Sequence, residues 1–199
     1  MKNKYALSTV VTTLIILVIS VLLASVVTYF AINVVSTRVQ EESLHLTKQH
    51  IWHNADAIAG EADYSIASLM VVNTGGRDVV VDKLAVRGQE CSWNDGENNK
   101  FVLCLITTDP ISDDLPFVGT FDYEGTNTVD LQGKTHTLTV AENDLVLPSG
   151  STMLLYVVNP DSITINDIGL TVSITLYTAQ AMYYREANVQ AYVPAIGSA

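Results

Sequence analysis

Residues 7–35 read LSTVVTTLIILVISVLLASVVTYFAINVV, and no acidic or basic side chain occurs between Ala6 and Ser36. This run exceeds the roughly 20 residues that a helix needs to cross the apolar core of a bilayer. It is also longer than the apolar region of a removable secretory signal, which is about 7–15 residues. The run therefore predicts a membrane-spanning helix.

Charge is distributed unevenly around this run. Lys2 and Lys4 precede it, whereas all 21 acidic residues and eight of the ten basic residues follow it, so the following part carries a net charge of −13. Because short basic flanks tend to remain cytoplasmic, we expect the N-terminus inside the cell and the C-terminal bulk outside. The negative charge of that bulk argues against a nucleic-acid partner.

The predicted helix need not end at the membrane surface. Residues 36–59 contain no Pro or Gly, and Gly60 is the first plausible stop. Apolar residues in this region approximate one helical face, namely Val35, Val39, Leu46, Ile51, Ala55 and Ile58. The sequence therefore predicts one long hydrophobic-to-amphipathic helix over residues 7–60, ~80 Å long at 1.5 Å per residue.

The start of the helix resembles the class III signal region of archaeal type IV pilins and archaellins. In that family, basic residues and one small residue precede a cleavage site, and the apolar helix opens with a pattern such as V-S-P-V-I. The sequence LSTVV at residues 7–11 is similar to this opening, although Thr9 replaces Pro and Tyr5 separates Lys4 from the small residue. The resemblance implies that a prepilin peptidase cuts between Ala6 and Leu7 and removes residues 1–6 as a signal peptide.

The same resemblance implies a filament whose core is built from these helices. Passing a helix from lipid into a bundle of identical helices exchanges one apolar setting for another, whereas burying Lys2 and Lys4 there would be costly. The implied partners are other copies of the chain, the membrane before assembly, the prepilin peptidase and the pilus assembly machinery. The residues implied for the span and filament core are Leu7, Val10, Val11, Leu14, Ile15, Leu17, Val18, Val21, Leu22, Val26 and Val27. Small surfaces for close helix contact are predicted at Ser8, Thr12, Thr13, Ser20, Ala24, Ser25 and Thr28.

The remainder of the chain, residues 61–199, has the pattern of a β domain. Short β-rich runs alternate with turn signals such as NTGG at residues 73–76, LPSGS at 147–151 and NPDS at 159–162. The predicted strands are Ile66–Val72, Val79–Val86, Thr135–Val140, Thr152–Val158, Leu170–Tyr177 and Ala187–Val193. This spacing predicts an antiparallel sandwich of about six to eight strands, and so an α+β chain. The resemblance implies that the sandwich is the extracellular, immunoglobulin-like head of a pilin.

Cys91 and Cys104 are the only cysteines in the chain. Outside the cell they would be expected to pair, and closing a loop of this size contributes roughly 3 kcal/mol. The alternative is two unpaired thiols. A metal site is not expected, because no second C-x-x-C pair or suitably spaced His accompanies them.

The remaining polar residues do not form a recognisable catalytic motif. His50 and His53 have an i, i+3 spacing near His45, but no H-E-x-x-H sequence is present. The acids Asp109, Asp113 and Asp114 and the loop at residues 94–97 lack the full spacing of a calcium-binding loop. Ser149 lies in P-S-G-S, which is not a nucleophile elbow. We therefore expect no enzymatic activity, no metal and no cofactor.

Four aromatic residues are candidates for core packing or for contacts at its rim, namely Trp52, Trp93, Tyr183 and Tyr184.

Two functions remain once an enzyme, a metal protein and a nucleic-acid-binding protein are set aside. One is a structural subunit of a cell-surface filament for adhesion or motility. The other is a single-pass anchored surface protein whose β domain binds a ligand or partner. Removal of residues 1–6 separates them, because only the filament subunit requires it.

Overall fold

The computed structural model describes residues 3–39, 41–54 and 64–192. The chain divides into two compact units, residues 1–41 and 42–199. In the first unit, helix α1 spans Asn3–Val39, about 55 Å at 1.5 Å per residue. The second unit is a β domain, and the chain is therefore of the α+β class, as the sequence predicts.

In its described residues, the β domain has twelve strands and one short 3₁₀ turn at Ile165–Asp167. The strands are β1 Leu44–Asn54, β2 Tyr64–Asn73, β3 Val79–Val86, β4 Gln89–Glu90, β5 Asn94–Asp95, β6 Lys100–Thr107, β7 Asn127–Leu131, β8 Lys134–Val140, β9 Leu145–Leu147, β10 Thr152–Val158, β11 Thr171–Thr178 and β12 Met182–Tyr192.

These strands form one continuous sheet in the order β4-β3-β11-β12-β1-β2-β10-β6-β8-β7, with β5 beside β6 and β9 beside β3. Strands β1 and β12 pair in parallel at residues 51–54 and 189–192. The other pairs are antiparallel. Among the strands of the described residues, this short parallel pairing is therefore the only ladder between the half that contains β2, β10 and β6 and the half that contains β3, β11 and β12.

Two clusters of buried side chains stabilise the domain. The larger cluster takes residues from both halves of the sheet, including Leu69 and Leu155 from one half and Leu84 and Ile174 from the other. It therefore lies between the two halves. The smaller cluster covers the opposite face of β2, β6 and β10, through residues such as Tyr156. The central strands are consequently buried on both faces, which explains their nearly unbroken apolar sequences.

The segment between β6 and β7, residues 108–126, closes the smaller cluster without forming a strand or helix of its own. Its buried side chains include Ile111 and Leu115. Lys48 Nζ donates to the carbonyls of Ile111, at 2.8 Å, and Asp113. His50 Nε2 lies 2.8 Å from Asp114 Oδ1. The segment is thus fixed to β1 by its backbone as well as by its apolar side chains.

The prediction of one helix over residues 7–60 is wrong beyond Val39. Residues 44–54, which include Leu46 and Ile51 from the predicted helical face, form strand β1, while Ala55, Ile58 and Gly60 lie outside the described residues. The strand is stabilised by pairing with β2 on one side and with β12 on the other. A bulge between Thr47 and His50, with Lys48 at φ 55°, interrupts its apolar alternation and made the strand hard to recognise.

The six strands predicted from the sequence are confirmed, except that Val193 at the end of the last one lies outside the described residues. Two of them have the predicted bounds, Val79–Val86 and Thr152–Val158. Two motifs predicted as separate turns, NTGG and LPSGS, pack against each other. Asn73 Nδ2 donates to the carbonyl of Leu147 at 3.0 Å, and Ser149 Oγ donates to the carbonyl of Gly75 at 2.7 Å. Ser43, which precedes β1, accepts hydrogen bonds from the backbone N–H groups of Thr74, at 2.9 Å, and Gly75, at 3.1 Å. The start of β1 is therefore tied to these turns.

Candidate functional site

Between Val10 and Val35, helix α1 is apolar on every side. Eighteen large apolar side chains between Val10 and Val35 are each 45–66% exposed. Residues Ser8–Thr37 are long and apolar enough to cross a membrane, and none of that window is buried against the described parts of the chain. A helix that is hydrophobic all round requires an apolar environment, which here must come from outside the chain.

Six hydroxyl groups of the helix are hydrogen-bonded to its own backbone. The side chains of Thr12, Thr13, Ser20, Ser25, Thr28 and Thr37 donate to carbonyls three or four residues earlier, at 2.7–2.9 Å. Since a hydroxyl without a partner is expensive in lipid, this arrangement makes the helix compatible with a hydrocarbon environment.

The residues predicted for the span and filament core all lie in α1. From Val10 to Val27 their side chains are exposed, as are the small side chains predicted for helix contacts. Ala6 and Leu7, on either side of the predicted cleavage site, belong to the first turns of the same helix. Among the side chains that the structure describes, the predicted contact surfaces from Ser8 to Thr28 are therefore exposed.

The predicted disulfide is not formed. Cys91 and Cys104 are free thiols, each 7% exposed within the larger cluster. Cys91 Sγ approaches the carbonyl of Gln89 at 3.9 Å, and Cys104 Sγ lies 3.7 Å from Thr139 Oγ1. Burial raises the pKa of Cys91 to about 12 and also raises the pKa of Cys104. Both cysteines therefore behave as inert core residues.

The three histidines occupy different environments on β1. His45 is exposed, and His50 stacks on Trp52 with ring centroids 5.0 Å apart and the rings 14° from parallel. His53 is 3% exposed and its Nδ1 lies 2.8 Å from Ser65 Oγ. Because this segment is a strand and not a helix, the i, i+3 spacing of His50 and His53 does not place them together.

The acidic residues considered as calcium ligands have separate partners. Asp109 pairs with Lys134 at 3.1 Å, Asp113 accepts from the backbone of Gln132 at 2.8 Å, and Asp114 contacts His50. In the loop at residues 94–97, Asp95 accepts from Asn98 Nδ2 at 2.9 Å. Across the described ranges, no group of three or more His, Cys, Asp or Glu side chains could hold a metal ion.

The remaining candidates have structural positions. Ser149 belongs to the paired turns, where its N–H donates to Asp78 Oδ1 at 2.9 Å. Trp52 is buried, Trp93 and Tyr183 pack against the larger cluster, and Tyr184 is 62% exposed. Three of the four aromatic residues thus serve the core, as predicted.

A buried carboxylate that the sequence did not indicate is Asp167, at the 3₁₀ turn. Its Oδ2 accepts from the N–H and the Oγ1 of Thr164, both at 2.9 Å, and its Oδ1 pairs with Arg87 at 2.6 Å. These hydrogen bonds and the nearby guanidinium hold the pKa of Asp167 below its usual range. Arg87 and Asp167 are 80 positions apart in sequence, so no local motif could reveal the pair.

Two neighbouring cavities lie at one end of the sheet and share Asn98 and Asn159 in their walls. The smaller, of about 400 Å³, is lined by His53, Ser65, Lys100, Asp161, Ile163 and Thr164, among others. The larger, of about 590 Å³, is lined by residues that include Tyr64, Ile66, Gly119 and Phe121. The walls come from the end of β1, the start of β2, the start of β6 with the residues before it, the segment at residues 108–126, and the end of β10 with the residues after it.

Comparison with known proteins gives little guidance. No protein-family model matches the sequence, and no curated protein matches it. Among solved structures, a copper-bound PCuAC domain from PmoF2 aligns with 77% of this chain and 100% of its own, at 16% sequence identity and a TM-score of 0.30. A similarity at that level supports no conclusion about fold, metal or function.

Proposed function

We propose that this protein is a structural subunit of an archaeal type IV pilus-like cell-surface filament, which polymerises through α1 and serves adhesion or motility. The observation that carries the proposal is the apolar surface of α1 between Val10 and Val35, which is exposed on all sides and follows the basic residues Lys2 and Lys4 in the sequence. The role is structural and not enzymatic.

The energetics of α1 support assembly by direct transfer from membrane to filament. Burying one Val, Leu or Ile side chain is worth about 1.5–3 kcal/mol, so leaving eighteen large apolar side chains of α1 in water would cost on the order of 20 kcal/mol or more. Lipid avoids this cost before assembly, and a bundle of identical helices avoids it afterwards. The internally bonded hydroxyls allow either environment, because no donor among them depends on water.

The proposal includes an immunoglobulin-like head outside the cell. In the constant type of that fold, strands A, B, E and D form one sheet and strands C, F and G form the other. Strands β1, β2, β10 and β6 follow the first order, and β3, β11 and β12 follow the second. The parallel pairing of the first and last strands and the core shared by both halves also favour this assignment.

Cleavage of the leader, residues 1–6, tests the proposal. A prepilin peptidase would cut between Ala6 and Leu7, removing Lys2 and Lys4 before the helix enters the filament core. We expect N-terminal sequencing of the extracellular protein to begin at Leu7, and electron microscopy of sheared cell-surface material to show filaments containing this chain. Surface protein that retains Met1 and forms no filaments would contradict the proposal.

A second function is a single-pass anchored surface protein that binds a ligand and never polymerises. The two cavities at the end of the β domain favour it, because a purely structural head does not require them. This function needs α1 only as an anchor, with the N-terminus inside the cell and the β domain outside. If this second function is correct, we expect the surface protein to retain residues 1–6 and to be monomeric.

A further inference from the structure

His53 is a buried histidine that connects two strands and the turn after β10. It lies next to the last residue of β1 and is 3% exposed. Its Nδ1 lies 2.8 Å from Ser65 Oγ on β2, and that hydroxyl donates to the carbonyl of Ile163 at 3.4 Å. Because a hydroxyl has one proton to donate, Ser65 Oγ accepts from the Nδ1–H of His53. This network therefore assigns a proton to Nδ1.

The second ring nitrogen, Nε2, is buried and has no hydrogen-bond partner among the described residues. A proton on Nε2 would turn the ring into a cation whose N–H group meets no acceptor. Burying an uncompensated charge is costly, and so is burying a donor that makes no hydrogen bond. The folded arrangement around His53 therefore fits the neutral ring.

The surrounding residues do not offer a free carboxylate to the ring. Among the described residues that line the cavity beside His53, the charged ones are Lys100 and Asp161, which form an ion pair with each other. The strand neighbours of His53 are Ser65 on β2 and Ala191 on β12, and both are uncharged. A protonated ring would therefore meet a carboxylate that is already neutralised.

We propose that His53 is a pH-sensitive switch at this end of the β domain. In its neutral form it holds β1 to Ser65, which is bonded in turn to residues 159–163. The Asn159 amide donates to the Ser65 carbonyl at 2.8 Å, and the Ser65 amide donates to Asn159 Oδ1 at 3.1 Å. Since buried Nε2 takes up a proton only when this end of the domain opens, acid stabilises the open form. The switch concerns the β domain alone and applies to either proposed function.

The direction of the effect separates His53 from other titrating groups. Histidine in an unfolded chain takes up a proton near pH ~6.5, so below that pH the open form binds more protons than the folded form. His50 acts in the opposite direction, because protonation of its ring strengthens the contact with Asp114. Asp167, whose pKa is lowered, loses its contribution only below pH ~4. Stability lost between about pH 6.5 and 5 therefore does not come from His50 or Asp167.

The first test is urea unfolding of the full chain in phosphocholine micelles, followed by tryptophan fluorescence between about pH 7.5 and 5. We expect the unfolding constant to rise as the pH falls, approaching about tenfold for each pH unit below ~6.5, which is the effect of one proton. His53→Asn keeps an N–H donor for Ser65 but does not titrate, so it should abolish this slope. His45→Asn and His136→Asn, at less buried positions, are the matched controls and should keep it.

The second test locates the opening in the unmodified chain. Between about pH 7 and 5, the hydrogen-exchange protection factor of the Asn159 amide should fall before that of Leu155, which lies in the middle of β10 and is paired on both sides. Ring ¹⁵N NMR should show His53 with its proton on Nδ1 alone in the folded chain at pH ~5, with the exposed His45 as the reference. These two measurements decide the matter if His53→Asn does not fold.

Three results would overturn the proposal. The unfolding constant could stay the same across this pH range, or its slope could persist in His53→Asn. The third is a folded chain in which both ring nitrogens of His53 carry protons while the Asn159 amide stays protected. None of these results bears on the filament function, which is tested separately by cleavage of the leader.

Discussion

Helix α1 and strand β10 have similarly apolar sequences but opposite surroundings. Leu17 in α1 is 64% exposed, whereas Leu155 in β10 is fully buried. Both faces of β10 are covered by the chain itself, one by the larger cluster and the other by the smaller. The β domain therefore supplies its own apolar interior, whereas the apolar side chains of α1 are exposed.

The largest expected effect on the stability of the β domain comes from shortening a buried side chain in β10. Leu155→Ala should lower the free energy of unfolding of the β domain by about 2–5 kcal/mol, because it leaves a cavity in a core with no exposed side. Leu17→Ala is the matched control and should leave that free energy unchanged. Both tryptophans, Trp52 and Trp93, lie in the β domain, so tryptophan fluorescence during urea unfolding in micelles measures it alone. Equal losses in both variants would contradict the division into two units.

A charge in α1 should affect membrane insertion and filament formation and leave the stability of the β domain unchanged. Leu17→Asp places a carboxylate near the middle of the span, which costs about 2.5–3.5 kcal/mol for membrane insertion. We expect filaments to be lost and membrane-inserted protein to decrease, while the unfolding transition of the β domain stays where it was. Electron microscopy and membrane fractionation provide the measurement. Normal filaments from this variant would count against α1 as the filament core.

Asp167 supplies a smaller, pH-dependent effect within the β domain. Its pKa in the folded chain is lowered, so the stability it contributes is fully present above its ordinary pKa of about 3.9 and is lost as the pH falls through the lower folded value. Asp167→Asn should therefore cost about 1 kcal/mol at pH 7 and progressively less below pH ~4. Urea unfolding between acidic and neutral pH measures this, with the exposed Asp82→Asn as control. A loss that is constant with pH would show that the charge of Asp167 is unimportant.

The smallest expected effect concerns the two thiols. Because both are free and buried, the melting temperature of the β domain should be the same with and without a reductant. At pH 8 a thiol reagent should modify Cys91 and Cys104 very slowly in the folded chain, since their raised pKa values leave little thiolate, and rapidly in urea. If Cys91 and Cys104 react in urea only after a reductant is added, the disulfide predicted from the sequence is present and the free-thiol description is wrong.

The features predicted correctly are those with a local cause. The charge-free composition of residues 7–35 is sufficient to predict the helix, and continuous apolar runs between Gly- and Pro-containing turns predict strands such as β3 and β10. Strand β1 cannot be predicted from its own sequence, because neither Pro nor Gly separates it from the helix. Its bulge at Lys48 also breaks the alternation of apolar and polar residues that is typical of a strand. Its strand conformation depends on partners in β2 and β12, which a local pattern does not include.

The polar contacts at the two cavities also cannot be predicted from local sequence, because they depend on strand pairing. His53 and Ser65 meet because β1 pairs with β2, and Lys100 meets Asp161 because β6 pairs with β10. Each residue type is ordinary in its own stretch of sequence. The cavities arise only where the ends of these strands coincide.

The position of β1 also has a mechanical consequence. It is the first strand after α1, its start is tied to the turn at residues 73–76, and its second half is paired on both sides. Backbone hydrogen bonds in a sheet run across the strands, so tension along β1 would load many of them in shear at once. A tether attached there resists pulling far better than one attached to a strand that can be peeled away bond by bond.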